Sequence, residues 1–500
     1  MRAAIVLFLI AGVSPAQVQN AADVSAGVYT TILAQGSLAV VNYQSYGTIG
    51  TSTVSFLPSG SAAPIAADVP YVSQFTIAFV VPMNVPAGDA QLIYKPANQA
   101  TQWTRVTIVP ANFALFRTGP IGPLLAQNIN PDGTPVQNGL ASPAQPGQPV
   151  VLWGSGLGAT TQSAVQITLG GVAQTVLYAG AAPGQPGMNQ INFRIAAGTP
   201  DGCYVPLTVT YGTQSVTSFL SKTSDGLPCH HPFQLSVAAM KLLDSGQSIP
   251  TGQIALTTGI QAPSMARASR QESAQVLGLD WNASNIANYF IAPSAALAQP
   301  CAIGLSNVTV GAFLEGGFDS TTLGPMTLQN TTSTLALPWT PPQPVDSPLN
   351  ALPNPVIAAG PWTWSTSGGP DLAASSFAFV LPPPVQIVGG SPFTLNHSQS
   401  QTIAWNGAGF DSSAALRLSL TAQNPGSPVL TCSVPAQTGT VTLPANLLAQ
   451  FTAGSAGALS VSVVETGTSV PHAQFNQLNG SPLLMIVNWS STDVRPVDFQ

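Results

Sequence analysis

Charge is what this chain has least of. Asp, Glu, Lys and Arg make up 6% of its 500 residues, against roughly a quarter in a typical soluble domain. Lys and Arg together number 11 and the formal net charge is −6. So few cations cannot track a phosphate backbone, which excludes a nucleic-acid partner. Glutamate is limited to Glu272, Glu315 and Glu465, and none lies in a context suggesting the paired carboxylates of glycoside hydrolysis. The four histidines leave little choice of general base, and no G-x-S-x-G presents a serine nucleophile. Beyond the N-terminus no run of about 18 apolar residues occurs, so no later segment reads as a membrane-spanning helix. These absences point away from an enzyme and imply no cofactor. The remaining catalytic alternative is a hydrolase site assembled in three dimensions within residues 233–384, with acidic groups converging near Glu315 or Asp319.

What the chain has is punctuation. Glycine and proline number 46 each, set between short runs rich in Val, Ile, Leu and Thr, and 45% of residues are hydrophobic. Many short strands joined by tight turns require that pattern, and a disordered chain lacks the apolar content. Arg2 followed by the apolar stretch from Ile5 to Val13 and by Ser14-Pro-Ala16 reads as a signal peptide over residues 1–16, with cleavage expected after Ala16. The mature chain is then expected to be secreted, or to sit in the periplasm or at the cell surface. In that oxidising setting Cys203 and Cys229, which flank one predicted hairpin, are expected to pair, leaving Cys301 with Cys432 by elimination. Four buried free thiols are the alternative. No two cysteines are spaced as zinc ligands.

Self-similarity organises the first half. Ile77-Ala-Phe-Val-Val-Pro-Met-Asn-Val-Pro-Ala-Gly88 matches Ile191-Asn-Phe-Arg-Ile-Ala-Ala-Gly-Thr-Pro-Asp-Gly202, both reading I-x-F-x-[VI]-x4-P-x-G. Alternate apolar positions put Ile, Phe and Val or Ile on one face of a strand, and Pro-x-Gly turns the chain into the next alternating run. A repeat of this length fits an immunoglobulin-like sandwich of about 100 residues.

A family resemblance rests on the same region. It is carried by Gly122-Pro-Leu-Leu-Ala-Gln-Asn-Ile-Asn-Pro-Asp-Gly-Thr134, by residues 138–158, by Leu169-Gly-Gly-Val-Ala173 and Tyr178-Ala-Gly-Ala-Ala-Pro-Gly184, and by Asn189-Gln-Ile-Asn-Phe-Arg-Ile195. These resemble the C-terminal domain family of secreted Solibacter-type acidobacterial proteins, an Ig-like module related to IPT/TIG domains. The likeness is close over residues 112–229, looser over 18–110, and beyond 232 limited to the segment Thr402-Ile-Ala-Trp-Asn-Gly-Ala-Gly409. The resemblance implies extracytoplasmic β-modules and no reaction.

The expected fold is therefore all-β, in tandem immunoglobulin-like β-sandwich domains. The expected division is 17–118, 119–232, a mixed and mostly β region over 233–384, and a β-sandwich over 385–500. Within the third part Arg270-Gln-Glu-Ser-Ala-Gln-Val-Leu277 suggests a short helix capped by Ser269. Leu337-Pro-Trp-Thr-Pro-Pro-Gln-Pro-Val345 must be extended, and Leu381-Pro-Pro-Pro-Val385 reads as a stiff linker or domain edge.

Candidate sites divide between chemistry and architecture. Gly154-Ser-Gly-Leu-Gly158 follows an apolar strand, but its spacing is wrong for a dinucleotide loop, no P-loop lysine follows, and Val165-Gln-Ile-Thr-Leu169 alternates as a strand. It reads as a corner where glycine is needed for positive φ. Asn128-Ile-Asn-Pro-Asp-Gly133 resembles half of a calcium loop, yet position 139 is Gly and supplies no bidentate acid, so a β-turn is the plainer reading. Cys229-His-His231 suggests a metal site, although adjacent residues of an extended chain face opposite ways; two exposed histidines beside a disulfide is the simpler account. No metal is expected. Trp362 and Trp364, two apart on a strand, share a face. If exposed they form a platform for stacking sugar rings; if inward they are core. The resulting reading is an exported, non-catalytic structural or adhesion protein whose partner is an extracellular protein or a polysaccharide. The alternative is a carbohydrate-binding protein that uses the tryptophan pair.

Overall fold

The computed structural model describes residues 18–22, 31–43, 51–97, 99–117, 124–160, 162–261, 269–283, 285–287, 301–304, 323–337, 357–389, 393–411, 414–422, 428–464 and 470–500. The chain is all-β, built of sandwiched sheets, and divides into two compact units. One comprises 1–231 with 243–247 and 283–287, the other 232–242, 248–282 and 288–500.

In the first unit one strand order occurs twice. The first copy runs Val18–Asn20, Leu38–Asn42, Thr76–Val80, Ile65–Val72, Thr53–Pro58, Gly88–Lys95, Gln102–Val109. The second runs Ala126–Ile129, Pro149–Ser155, Asn189–Arg194, Val172–Ala181, Val165–Leu169, Gly202–Tyr211, Gln214–Lys222. The fourth strand of each path serves both layers. Residues 65–67 pair with Thr53–Pro58 and residues 68–72 with Thr76–Val80. Likewise 172–174 pair with Val165–Leu169, and 175–181 with Asn189–Arg194. The sheet thus folds over into the two facing layers of an immunoglobulin-type sandwich. Pro70 stands in the register shift between Asp68 and Tyr71, where its missing N–H breaks no ladder bond. Even the parallel contact recurs: Ile32–Ala34 runs beside Thr107–Val109, and Ala144 bridges Lys222.

The repeated sequence motif supplies both cores. Ile77, Phe79, Val81, Ile191, Phe193 and Ile195 are each at most 1% exposed. Phe79 meets Phe56 of the facing layer at 5.9 Å between ring centres. Each such side chain contributes on the order of 2 kcal/mol of burial.

The two sandwiches of this unit are locked through the link between them. Asn20 donates from Nδ2 to the carbonyls of Asn112 (3.1 Å) and Ser155 (3.2 Å). Ser155 Oγ accepts from Leu38 N at 2.8 Å. Asn112 N donates to Gly156 O at 2.8 Å, and Phe113 N to Tyr211 Oη at 2.8 Å. Ala21, Ala22, Val40 and Ala78 bury against Ala114, Phe116, Ala182 and Met188. The three glycines at 154–158 make this approach feasible. A Cβ on Gly158 would overlap the Pro110 carbonyl, one on Gly156 the Asn112 carbonyl, and one on Gly154 the Phe113 ring. Gly156 and Gly158 also have φ of 101° and 59°. The corner expected from the sequence is there, and it grips the interdomain link.

At the far end of the second sandwich Lys222 is buried and its Nζ donates to Asp201 Oδ1 (2.6 Å) and Thr199 O (2.7 Å). Hydrogen bonds from Lys222 and then Ser224 hold the Asp201 carboxyl down to about 2. The Cys203–Cys229 disulfide lies alongside, closing a sequence separation of 26 residues.

In the second unit the organising element is the long strand Pro482–Phe499. It pairs in parallel with Ile249–Gln261 and Phe393–Leu395, and antiparallel with Ala456–Val464 and His472–Asn476. Two expectations are corrected here. The segment over 270–277 is not a helix: it belongs to the strand Ser269–Trp281, paired residue for residue with Ile249–Gln261. The thirteen-residue ladder pairs the backbone groups that face Ile249–Gln261, which outweighs a weak local helical preference. A short helix forms instead at Val237–Asp244. The boundary expected at 384/385 does not separate two cores. Ile254, Trp362, Trp364, Leu381, Val385, Leu418 and Trp489 belong to one buried cluster, and Cys301 is bonded to Cys432, its cross-strand partner.

The triple proline is docked, not a free linker. Past it, Val385 N donates to Ser491 Oγ (2.9 Å) and Ile387 N to Asp493 Oδ2 (2.8 Å). Donors two apart meet acceptors two apart, as the shared period of extended chains requires. Asp493 is buried and held by Arg495 at 2.9 Å.

Two measurements check this account. Gly158→Ala is expected to destabilise the first unit by about 2–4 kcal/mol, through left-handed φ and the carbonyl overlap; an unchanged urea midpoint would refute the grip. Asp201 has a lowered carboxyl, so its contribution is present above the ordinary carboxylate range and is lost as pH falls through about 2. With Asp201 half-exposed, Asp201→Asn is expected to cost about 1–2 kcal/mol at neutral pH. Its deficit relative to the unsubstituted protein should shrink between about pH 4 and pH 2 in acid titrations followed by circular dichroism.

Candidate functional site

Strand parity decides what the first sandwich shows to solvent. Along Gln102–Val109 the buried residues are Val106 and Ile108, so Trp103, Arg105 and Thr107 point outward. Trp103 is 60% exposed. Of the other described tryptophans, Trp281, Trp362, Trp364, Trp405 and Trp489 are buried, and Trp153 is half-buried with its Nε1 donating to Gln127 Oε1.

The ladder fixes the neighbours of Trp103. It lies opposite Ile93, Arg105 opposite Gln91, and Thr107 opposite Asp89. Across the next strand Ile93 lies opposite Ser55 and Lys95 opposite Thr53. Opposed side chains in such a ladder are about 5 Å apart. One three-stranded face therefore carries an indole bordered by Ile93, with Gln91, Arg105, Lys95 and Ser55 around it. Thr107 Oγ1 and Asp89 Oδ1, 3.4 Å apart, close one end. An exposed indole on a sheet face offers an apolar ring with amide, hydroxyl and cationic groups at its rim, the combination that holds an amphipathic ring.

Sequence reasoning passed over this residue, although the signal was present. In Gln102-Trp-Thr-Arg-Val-Thr-Ile108 the aliphatic residues occupy even positions and Trp103 an odd one. A tryptophan out of phase with its strand's apolar parity is an outward tryptophan.

The Trp362–Trp364 platform is overturned. On Gly360–Thr366 the two do share a face, but it is the inner one, and they are 1% and 0% exposed. Trp362 donates from Nε1 to Ala358 O at 2.8 Å, and Trp364 packs on Phe377 and Phe475 at 5.6 and 5.8 Å. Neither offers a ring to a ligand.

The other candidate positions are structural. Cys203 is bonded to Cys229 and Cys301 to Cys432. His230 is exposed, but His231 is buried, which corrects the reading of two exposed histidines: its Nε2 is 2.8 Å from the Tyr204 hydroxyl, and the two rings meet edge to face. Burial, with the nearby Asp244, pushes the Tyr204 hydroxyl up. Burial also pushes Asp244 up, against the hydrogen bonds that it accepts from the backbone of Ala141 and Leu140. The half calcium loop is a hydrogen-bonded turn: Thr134 Oγ1 (2.7 Å) and then Thr134 N (2.9 Å) donate to Asp132 Oδ1, which lowers that carboxyl. After Gly158 the chain enters a single 3₁₀ turn, Gln162–Ala164, and then the strand Val165–Leu169, with no helix to face a phosphate. Among the described residues no group of three or more His, Cys, Asp or Glu is placed to hold a metal.

Two open depressions lie on the second sandwich. One, of about 670 Å³, is bordered by Gln166, Thr168 and Gln174; the other, of about 560 Å³, by Arg117, Tyr211 and Gln214. No carboxylate lines either. Glu272 is buried and accepts Ile357 N at 3.2 Å. Residues 1–16, Glu315, Asp319 and Glu465 lie outside the described residues.

No protein-family model matches the chain, and no curated protein matches it. Solved structures with similarity to it include a surface glycan-binding protein of Bacteroides ovatus in complex with a mixed-linkage heptasaccharide, at 10% identity over 83% of this chain and 86% of that one, TM-score 0.15. A surface glycan-binding protein of Prevotella bryantii shares 13% identity over 38% and 37% of the two chains, TM-score 0.14. A Ca²⁺-stabilized, ice-binding adhesin of an Antarctic bacterium shares 12% over 98% and 100%, TM-score 0.12. Overlap at this level carries no argument about function.

The two kinds of tryptophan give opposite expectations. Trp362→Ala should cost about 3–5 kcal/mol, as for any large core truncation, whereas Trp103→Ala should change stability by no more than about 0.5 kcal/mol. Paired denaturation curves check this, and a large loss on Trp103→Ala would show that residue to be structural.

Proposed function

We propose that the protein is an exported, non-catalytic surface-binding protein that holds an extracellular polysaccharide against the outer face of its first sandwich. The observation that carries this reading is Trp103. Trp103 leaves most of its indole in water, and the ladder places it among hydrogen-bonding side chains. A pyranose presents the complementary surface, an apolar C–H face rimmed by hydroxyls. Both disulfides suit an oxidising compartment, as do the leader-like residues 1–16 and the resemblance to secreted Solibacter-type modules. A platform on a rigid sheet needs no catalytic groups, and it uses what a chain poor in charge has in supply.

Retention of the full-length protein on a panel of insoluble polysaccharides tests the reading. Wild type is expected to be retained by at least one, and Trp103→Ala to weaken that retention about tenfold or more. Undiminished retention of Trp103→Ala would reject this face as the binding surface.

A further inference from the structure

We infer that the ligand of the Trp103 face is an acidic polysaccharide, one whose sugar rings carry carboxylates. This rests on the reading of that face as a glycan platform and adds its chemical class.

Cations are scarce in this chain, 11 in all. Lys222 is committed to Asp201 and Arg495 to Asp493. Arg194 donates to Gly147 O at 2.7 Å, and Arg117 to Thr217 O at 2.9 Å. In the second unit Lys241 and Arg417 are exposed with no carboxylate partner among the described residues; in the first unit Lys95 and Arg105 are likewise exposed and without one. Both lie on the face of Trp103. Arg105 is the next outward residue on the same strand, about 7 Å along. Lys95 is the next outward residue beyond Ile93, the cross-strand partner of Trp103. The indole thus has a cation on two sides. Asp89, the one acid on the outward rows of these three strands, lies beyond Gln91 and beside Thr107, and exposed Asp68 follows on the next strand of the sheet. Lys95 and Arg105 each stand next to the indole along the ladder and neither acid does, so the surroundings of the ring are positive on a chain whose formal charge is −6.

An aromatic ring flanked by unpaired cations matches a uronate-type sugar in both respects. The ring stacks on the C–H face, while the Arg105 guanidinium takes the carboxylate in a fork geometry and Lys95 meets a neighbouring one as a point charge. A phosphate backbone needs many more cations. An anionic bilayer would have to bury Thr53, Ser55 and Gln91 along with Trp103, which their polar groups oppose.

The test uses the full-length protein and five probes: polygalacturonate, a neutral mixed-linkage β-glucan, poly-glutamate, phosphatidylglycerol vesicles and added salt. Binding to polygalacturonate is expected, and about tenfold weaker in the doubly substituted Lys95→Gln/Arg105→Gln protein and in about 0.5 M salt. Trp103→Ala is expected to abolish it, and unchanged melting curves establish that the variants fold. If Trp103 matters but Lys95 and Arg105 do not, or if the neutral glucan binds as well as polygalacturonate, the acidic class is overturned while the platform stands. If Trp103→Ala binds every glycan as wild type does, the platform falls too. Equal binding to poly-glutamate would reduce the face to a charge patch, and Trp103-dependent binding to vesicles would replace the glycan with a membrane surface.

Discussion

Successive side chains of an extended strand leave on opposite sides, and in this protein nearly everything follows from which parity is apolar. With so little charge available, the solvent faces are made of Thr, Ser, Gln and Asn, so the two faces of a strand differ modestly in polarity and sharply in size and branching. Ile77, Phe79 and Val81, and their counterparts Ile191, Phe193 and Ile195, define the inner face of both sandwiches in the first unit. The same rule, applied to Gln102–Val109, puts Trp103 outside. Core and candidate site are two readings of one alternation.

The second constraint is backbone approach. Where Gly154, Gly156 and Gly158 meet Pro110 to Phe113, two main chains run closer than any Cβ would allow. Asn20 and Ser155 then satisfy the polar groups which that approach encloses. In the first copy Leu38 stands where Pro149 does in the second, so the corresponding stretch is Tyr43-Gln-Ser-Tyr-Gly47, with one glycine retained. Three glycines thus distinguish a sandwich that receives a preceding domain's exit from one that does not. A side chain placed there would strain the seam where the two domains meet, and the stability of the first unit with it.

Local pattern was sufficient for the strands, the repeat, the turn at Pro131-Asp-Gly133 and the Cys203–Cys229 pair, because each depends on residues close in sequence. It was insufficient where distant chain decides. The stretch over 270–277 has a helix-compatible composition and becomes a strand because Ile249–Gln261 is there to pair with it. The prolines at 382–384 resemble a linker until Ser491 and Asp493 are seen to accept the N–H groups that follow them. The sequence placed Trp362 and Trp364 on one face correctly, but which face is inner depends on Phe377 and Phe475, and period two is silent on that. For Trp103 the in-strand neighbours Val106 and Ile108 settle the matter, so that site was open to sequence reasoning. Its flanking cation Lys95 became visible only with the register.

Consider finally the strand Pro482–Phe499. Its parallel partner lies far back along the chain: Thr251 pairs with Leu484, 233 positions later (484 minus 251). Until that late segment reaches the sheet, the hairpin Ile249–Gln261/Ser269–Trp281 has an open, largely apolar edge, and the Cys301 strand waits for Cys432. Assembly of this unit is consequently a slow, non-local event, with an intermediate whose exposed edge invites pairing with other copies. Thiol oxidation before the sheet closes would fasten residue 301 to whichever cysteine it met first. A crosslink that forms only after the sheet has closed has one partner within reach, the cross-strand Cys432.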